Sequence, residues 1–394
     1  MENPKIRFKG FTKDWEQRKF CDVAVRASSV STSSSDIPSV EYEDVVAEEG
    51  RLNKDIRLKE AVKSGIIFDG SQVLYGKLRP YLHNWLNPDF NGIAVGDWWV
   101  LKPINMDKNF LYRLIQTQQF DNIANQSSGS KMPRADWNLI SNSDFMVPFS
   151  KEEQCKIGGY FDSLDNLITL HQRKCEQTKK LKKYMLQKMF PQNGEKVPEI
   201  RFDGFTYDWE QRKLGDDLVS IHTGTNLLGS ITNTGMPLIK MGNIQRGYFD
   251  TSKVEFLAEN EQPDKADIAN YGDFFFNTRN TLELVGKGAT WMKNSGEYAF
   301  NSNIARFELR NLDTIFFNYL YNTDYMTKQI HARAMGTTSV AAIYPRTLDS
   351  VEYLAPCMKE QQKIGAYFKQ LDHLINPSTT SSLFTNVSAM NLRK

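Results

Sequence analysis

The chain has 394 residues, 40% of them hydrophobic, and a formal net charge of +2 from 49 basic and 47 acidic residues. This length predicts two or three domains, and the hydrophobic content excludes wholesale disorder. Because no apolar run approaches the roughly 18 residues of a membrane helix, and because the polar start is unlike a signal peptide, we expect a cytoplasmic protein without a membrane partner. The four cysteines form no C-x-x-C pair, which favours free thiols over a disulfide frame or a zinc site. The near-neutral charge neither favours nor excludes nucleic acid.

Two motifs occur twice in the chain. The opening motif reads PKIRFKGFTKDWEQRKF at residues 4–20 and PEIRFDGFTYDWEQRKL at residues 198–214, with 13 of 17 positions identical. The helix motif reads EEQCKIGGYFDSLDNLIT at residues 152–169 and KEQQKIGAYFKQLDHLIN at residues 359–376, with 11 of 18 positions identical. The two variable stretches between these motifs look unrelated to each other. Such a repeat predicts an approximate internal two-fold, the alternative being an old duplication without functional symmetry.

The first helix motif predicts a long helix. Ser150 and Glu153 have the spacing of a capping box, in which each side chain satisfies a backbone donor of the other residue. A seam with alternating spacings of four and three residues follows and stops at Pro191, which is typical of a coiled coil. Its positions are Ile157, Phe161, Leu164, Ile168, His171, Cys175, Thr178, Lys182, Met185 and Met189. The second half of this helix is basic, which favours a solvated face over phosphate or an acidic partner.

The second helix motif starts the same seam and then stops. Its seam positions are Ile364, Phe368, Leu371 and Ile375. Pro377 and the Ser/Thr/Asn-rich tail that follows cannot continue a helix. We therefore predict two helices that pair antiparallel, with the second cut to about half length and the coiled coil weakened.

Both variable stretches have the turn signals and short apolar runs of mixed α/β structure. They end in comparable loops, SGSKMPR at residues 128–134 and MGTTS at residues 335–339 followed by YPR at residues 344–346. Gly129 and Gly336 share the 207-residue offset of the helix motif. Loops of this composition suit phosphate contacts, and residues 76–81 and 277–280 with Lys287 add cations and asparagines that can pair with base edges. Each patch alone is more often ordinary surface, and the matched positions in both halves leave ordinary surface and a DNA-contacting function equally open.

The sequence gives little support for catalysis. It contains no Pro-Pro of an amino-methyltransferase motif, no Asp/Glu-x-Lys of a nuclease metal site and no nucleotide-binding P-loop. The histidines show no metal-ligand spacing, and they are His83, His171, His222, His331 and His373. We therefore interpret the chain as a recognition module with no catalytic residue and no metal site.

The layout resembles the specificity subunit of type I restriction-modification systems. The resemblance covers almost the whole chain and rests on the doubled opening motif, the doubled helix motif and LRPYL at residues 78–82. It implies an α+β fold in which two mixed α/β target recognition domains are separated by long helices that form an antiparallel coiled coil, in a pseudo-two-fold repeat. The expected parts are a first target recognition domain at 1–150, a spacer helix and linker at 151–197, a second target recognition domain at 198–356, a shortened second helix at 357–376 and an irregular tail at 377–394.

The resemblance also implies a function. Each target recognition domain would read one half of a bipartite, asymmetric sequence in double-stranded DNA, and the helices would act as a spacer. The implied protein partners are two modification subunits, which methylate adenine with S-adenosylmethionine, and restriction subunits, which cleave DNA with ATP and Mg²⁺. No cofactor is expected in this chain. The DNA-facing candidates carried over to this sequence are Lys77, Arg79, Tyr81, Ser130, Lys131, Arg134, Thr278, Arg279, Asn280, Thr337, Thr338, Ser339 and Arg346.

The main alternative is a two-domain scaffold that binds proteins and not DNA. Binding to DNA through several phosphates weakens steeply as salt rises, whereas a protein scaffold has no such requirement. A stand-alone nuclease or methyltransferase is disfavoured by the missing motifs.

Overall fold

The structure is a computed structural model that describes residues 4–126, 132–192, 194–337, 339–375 and 392–393. The chain divides into two compact units, the first formed by Met1–Gln172 with Thr380–Lys394 and the second by Arg173–Thr379. Each unit contains one copy of the opening motif and one variable stretch. The boundary between the units, at Gln172 and Arg173, lies within one long helix, residues 151–188.

The first unit is a mixed structure of short strands and helices. Its strands are β1 (Arg7–Phe8), β2 (Glu16–Lys19), β3 (Ala24–Ala27), β4 (Val30–Thr32), β5 (Ser39–Val40), β6 (Val45–Val46), β7 (Arg51–Leu52), β8 (Ser64–Phe68), β9 (Val73–Gly76), β10 (Trp85–Leu86), β11 (Gly92–Ala94), β12 (Trp98–Pro103) and β13 (Asp144–Val147). Its helices are α1 (Phe20–Val23), α2 (Lys108–Leu114), α3 (Gln118–Ala124), α4 (Trp137–Asn142) and α5 (Lys151–Lys188), and α5 continues into the second unit.

The second unit has a similar composition. Its strands are β14 (Glu210–Lys213), β15 (Leu218–Thr223), β16 (Pro237–Ile239), β17 (Glu255–Phe256), β18 (Phe274–Asn277), β19 (Arg279–Asn280), β20 (Gly288–Thr290), β21 (Ala299–Phe300), β22 (Ile304–Leu309), β23 (Met335–Gly336), β24 (Ala341–Ala342) and β25 (Glu352–Ala355). Its helices are α6 (Leu214–Asp217), α7 (Thr314–Tyr321), α8 (Asp324–His331) and α9 (Met358–Ile375). The last strand, β26 (Leu392–Arg393), pairs with β1.

The two variable stretches share a topology although their sequences look unrelated. The main sheet has the strand order β10-β9-β12-β3 in the first unit and β20-β18-β22-β15 in the second. A pair of helices follows the long strand in each, α2 and α3 after β12, and α7 and α8 after β22. The N-caps of these helices also match, because an aspartate caps α2 and α7 and a threonine caps α3 and α8. The internal repeat is therefore present in the structure as well as in the sequence.

In each unit the opening motif forms a strand that pairs with the strand preceding the helix motif. The EQRK segment is β2 in the first unit and β14 in the second. β2 pairs antiparallel with β13, and β14 pairs antiparallel with β25. This pairing brings the two ends of each variable stretch together, immediately before α5 and α9 respectively.

A buried ion pair joins the two motifs in each unit. Arg7 donates from Nε and Nη2 to the Glu153 carboxylate at 2.6 and 2.7 Å, and Arg201 makes the same two bonds to Glu360 at 2.7 and 2.8 Å. Both glutamate side chains are 1% exposed. The predicted capping box at Ser150 is therefore wrong, because the Glu153 carboxylate turns away from the helix start to bind the arginine. We call each arginine–glutamate pair the lock of its unit.

The residue after each lock glutamate fixes the variable stretch. Gln154 accepts from the Asp107 backbone N–H at 3.0 Å, and Gln361 accepts from the Asp313 backbone N–H at 2.9 Å. Both aspartates are N-caps, of α2 and α7. One helical turn later stands a glycine, and at Gly158 a Cβ would lie 2.7 Å from both Asp107 Oδ1 and the Phe110 backbone nitrogen. A larger residue at position 158 would therefore push α5 and α2 apart.

The second half of α5 and the whole of α9 run antiparallel within the second unit. The Cys175 thiol donates to the Ile375 carbonyl at 3.4 Å, Lys182 forms an ion pair with Asp372, and Phe190 stacks on Phe368 with ring centroids 6.0 Å apart. Among the seam residues, Met189, Ile364, Phe368 and Leu371 are buried in one core with Met185 packed against it. Ile375 is half-buried at the end of α9.

The first half of the α5 seam is less buried. Ile157 packs against the core of the first unit, and Leu164 is half-buried. Phe161 and Ile168, by contrast, are 43% and 54% exposed. α9 ends at Ile375, and residue 376 of the predicted second helix and residues 377–391 and 394 of the predicted irregular tail lie outside the described residues.

The locks predict a specific loss of stability. Glu153→Ala removes the carboxylate that satisfies the Arg7 guanidinium, so we expect the free energy of unfolding to fall by about 2 kcal/mol, and Glu360→Ala to behave alike in the second unit. Urea unfolding followed by circular dichroism measures this. The matched control is Glu152→Ala, an exposed neighbour on the same helix, which we expect to change stability by less than about 0.5 kcal/mol. Equal effects of Glu152→Ala and Glu153→Ala would contradict the role of the lock.

The exposed first half of the seam leads to a second prediction. A variant in which residues 377–394 are replaced by the sequence of residues 170–190 restores seam positions after Ile375, so its unfolding temperature should rise. The control carries the same graft with serine at the seam positions, so that both variants lack β26 and its pairing with β1, and it should unfold at a lower temperature than the first graft. If both grafts unfolded at the same temperature, the shortened helix would not weaken the coiled coil.

Candidate nucleic-acid interface

In the first unit the structure brings two of the predicted loops together. The Arg79 backbone N–H donates to the Pro133 carbonyl at 2.7 Å, and the Ala135 N–H donates to the Lys77 carbonyl at 2.8 Å. These bonds flank an antiparallel bridge between Leu78 and Arg134. The loop after β9 and the loop before α4 therefore form one surface at the end of the main sheet.

Asp97 organises the cations of this surface. Arg134 contacts the Asp97 carboxylate through Nε and Nη2 at 3.3 and 3.1 Å, and Lys77 Nζ lies 3.5 Å from the same group. The hydrogen bond from Arg134 lowers the pKa of Asp97, so the carboxylate stays charged at neutral pH. The sequence analysis missed this residue, although its position between Gly96 and the tryptophans of β12 places it at a strand end.

The other candidates of the first unit are more exposed. Arg79 is exposed in the left-handed backbone region with φ of 49°, and Tyr81 is 52% exposed in the short 3₁₀ turn that follows. Within the described part of the chain, Arg79 has no ion pair. Ser130 and Lys131 lie outside the described residues.

In the second unit the corresponding loops form a small sheet. β19 pairs with β24, and β24 pairs with β23. The Ile343 backbone N–H donates to the Thr278 carbonyl at 3.0 Å, as Ala135 does to Lys77 in the first unit. The turn between β23 and β24 contains Thr337 and Ser339, whose hydroxyl oxygens are 3.3 Å apart. Both units thus place the same two loops side by side at the same end of the main sheet.

The candidate side chains of this sheet differ in their exposure and in whether they already form hydrogen bonds within the protein. Arg279, Thr337, Ser339 and Arg346 are exposed, and within the described residues neither arginine has an ion pair. Thr278 and Asn280 have structural bonds instead. The Thr278 hydroxyl donates to the Asn303 carbonyl at 2.9 Å, and Asn280 Oδ1 accepts from the Thr281 backbone N–H at 2.8 Å. Thr338 lies outside the described residues.

A cleft of about 840 Å³ with a mixed polar and apolar lining lies beside the Thr278–Asn303 contact. Its lining includes Asn301 and Asn303, and Lys240 and Lys253. Lys240 is neutralised by Glu255 at 2.5 Å. Amides and cations of this kind can bind phosphates and base edges. This cleft is not among the sites predicted from the sequence, because its lining comes from four separated segments of the chain.

The described residues contain no group of three or more His, Cys, Asp or Glu side chains that could hold a metal ion. In the same part of the chain, none of the helices has both the length and the apolarity to cross a bilayer.

The family model of the type I restriction modification DNA specificity domain matches this chain twice, at residues 12–180 and 207–381. The chain belongs to this family. The two matches fall on the two halves of the repeat and confirm the resemblance drawn from the doubled motifs. They also confirm the predicted fold class, two mixed α/β repeats with a long helix between them.

Named relatives agree with this assignment. The chain is 23% identical over 287 residues to the type I restriction enzyme MjaVIII specificity subunit of Methanocaldococcus jannaschii, covering 68% of this chain and 64% of the relative. It is 26% identical over 178 residues to the putative MjaX specificity subunit of the same organism, covering 43% of this chain and 40% of the relative. The match thus spans less than two thirds of the length of each of these relatives.

A solved structure supports the fold. The crystal structure of the type I restriction-modification system S subunit from M. genitalium aligns with a TM-score of 0.59 over 96% of its chain and 97% of this one, at 12% identity. At this identity the similarity concerns the fold alone.

Proposed function

We propose that this chain recognises a bipartite, asymmetric DNA sequence, with one half-site read by each unit. The observation that carries the proposal is the repeated placement of two adjacent loops with exposed arginines at the same end of two sheets with the same strand order. Two different loop sets on one scaffold suit two different half-sites. α5, whose residues belong to both units, is the proposed spacer.

The charges of the loops suit DNA contact. Arg79, Arg279 and Arg346 are exposed and form no ion pair with any residue that the structure describes, so they can bind phosphates at little cost. Arginine also pairs bidentately with guanine, so the same side chains can contribute to sequence readout. The exposed hydroxyls of Thr337 and Ser339 add neutral donors and acceptors beside them.

The proposal includes the partners. The chain would direct two modification subunits to methylate adenine and restriction subunits to cleave DNA, in the cytoplasm. S-adenosylmethionine, ATP and Mg²⁺ would be bound by those subunits and not by this chain. Its own role would be recognition without catalysis, because methylation requires a partner that flips the target adenine out of the helix.

The test is adenine-methylation mapping of host DNA with this gene present and deleted. The expected result is the loss of one bipartite methylated motif on deletion, because recognition of both half-sites depends on this chain. Re-expression of the intact gene should restore the motif and serves as the control. An unchanged methylation pattern, together with DNA binding that does not depend on salt, would contradict the proposal and favour a protein-binding scaffold.

The geometry around Asp97 gives a further prediction. Asp97→Asn removes the negative charge that competes with DNA for Lys77 and Arg134. We expect tighter binding to a duplex carrying the mapped motif, and a salt slope of log K steeper by about 1, because another phosphate contact becomes available. Fluorescence anisotropy between 50 and 200 mM salt measures both quantities.

The matched control is Asp69→Asn, which changes the net charge by the same amount. Asp69 lies before β9, whereas Lys77 lies after it. This control should leave the salt slope unchanged. If Asp97→Asn bound DNA more weakly than the unmodified chain, Asp97 would be part of the recognition surface and not a competitor.

A further inference from the structure

Beside the small sheet of the second unit lies a cluster of basic side chains that the sequence analysis did not identify as a site. Arg246 Nη2 lies 3.1 Å from His331 Nε2, and Lys287 Nζ donates to Gln245 Oε1 at 2.8 Å. Burial, followed by the charge of Arg246, lowers the pKa of both Lys287 and His331. We call Arg246, Lys287 and His331 the basic cluster.

The protonation state of the cluster follows from its hydrogen bonds. A guanidinium can only donate, so His331 Nε2 accepts from Arg246 and the imidazole is neutral with its proton on Nδ1. The histidine therefore orients the guanidinium without adding a charge. Two cations remain, and within the described residues neither Arg246 nor Lys287 has an ion pair. The negative charge of Glu283 raises the pKa of Lys287 from a distance, but these two described side chains form no ion pair.

The cluster adjoins the predicted DNA-facing loops. The Asn277 backbone N–H donates to the Lys287 carbonyl at 2.8 Å, and Thr278, Arg279 and Asn280 follow Asn277 directly. His331 is the last residue of α8, and β23 begins four residues later. Two short chain segments therefore connect the basic cluster to the small sheet of β19, β23 and β24. The cations of the cluster and of the sheet lie on one surface of the second unit.

The first unit has different chemistry at the corresponding place. The Gly76 N–H donates to the Asn84 carbonyl at 2.7 Å, as the Asn277 N–H does to the Lys287 carbonyl, so that Asn84, the neighbour of His83, takes the place of Lys287 in the first unit. Where the second unit has the basic cluster, the first has acidic partners. His83 contacts Asp121 at 2.9 Å and Glu48 at 3.4 Å. A feature present in one unit only cannot be explained by the shared scaffold.

We propose that Arg246 and Lys287, with His331 positioning the guanidinium, bind a backbone phosphate of the DNA half-site read by the second unit. The inference rests on the proposed function, since a duplex is the ligand. An anion between the two cations would remove the repulsion that they exert on each other. The second unit would then gain more affinity from phosphate than the first, while the bases recognised would be unaffected.

The test uses the double variant Arg246→Gln/Lys287→Gln of the full chain, assembled with its modification subunits and titrated with a duplex carrying the mapped motif. Loss of one phosphate contact should reduce the magnitude of the salt slope of log K by about 0.9. Methylation mapping of the variant should give the unchanged motif. The control is Lys359→Gln, an exposed lysine in the first turn of α9, which should leave the slope unchanged.

The outcomes separate the two proposals. If the unmodified assembly showed no sequence-specific DNA binding, both the function and the basic cluster as a phosphate site would be rejected. If it bound the motif and the double variant kept the full salt slope, only the phosphate site would be rejected. A variant that changed the methylated bases but not the slope would also reject it, because the cluster would then contact bases.

Discussion

The architecture depends on one interaction that the chain builds twice, the buried pair between an arginine of the opening motif and the first buried glutamate of a long helix. Arg7 and Glu153, and Arg201 and Glu360, meet with nearly equal distances in the two units. A buried ion pair contributes little net stability relative to apolar packing, but removing one partner is costly. The lock therefore penalises any arrangement of strand and helix that leaves one of its two charges buried without the other.

The lock separates what must stay constant from what can vary. Both ends of a variable stretch are held by the β2–β13 or β14–β25 pairing, and the helix after its long strand, α2 or α7, is held at its N-cap by Gln154 or Gln361. Within these anchors each unit builds its own core, such as the aromatic cluster around Phe274, Phe317 and Tyr321 in the second unit. The loops at the far end of the sheet are free to carry different charges, as the acidic surroundings of His83 and the basic cluster illustrate.

The sequence predicted the repeat, the long helix, its antiparallel partner and the α+β class, because identity between halves and a regular seam are visible without coordinates. It could not predict that the variable stretches share a strand order, since a topology can be kept by side chains that have nothing in common. It assigned Glu153 to a capping box because local spacing cannot reveal a partner 146 residues away. The same reason hid Asp97, whose role depends on cations from two separate loops. The cationic loops themselves were identified, and the structure places those of each unit side by side.

The lock also has a consequence for how such a chain can change over generations. The opening and helix motifs that each lock joins contact the variable stretch in the same ways in both units. These contacts are the register of a strand pair, a hydrogen bond from the backbone N–H of an aspartate N-cap, and the close approach at Gly158 or Gly365. An inserted stretch that supplies these features, together with apolar side chains that pack on the helix as Tyr319 packs on Phe368 in the second unit, can be accommodated without repacking the helices. Genetic exchange between the near-identical opening and helix motifs would thus produce a folded chain with a new pair of loops in a single event, whereas point mutation would have to alter those loops residue by residue.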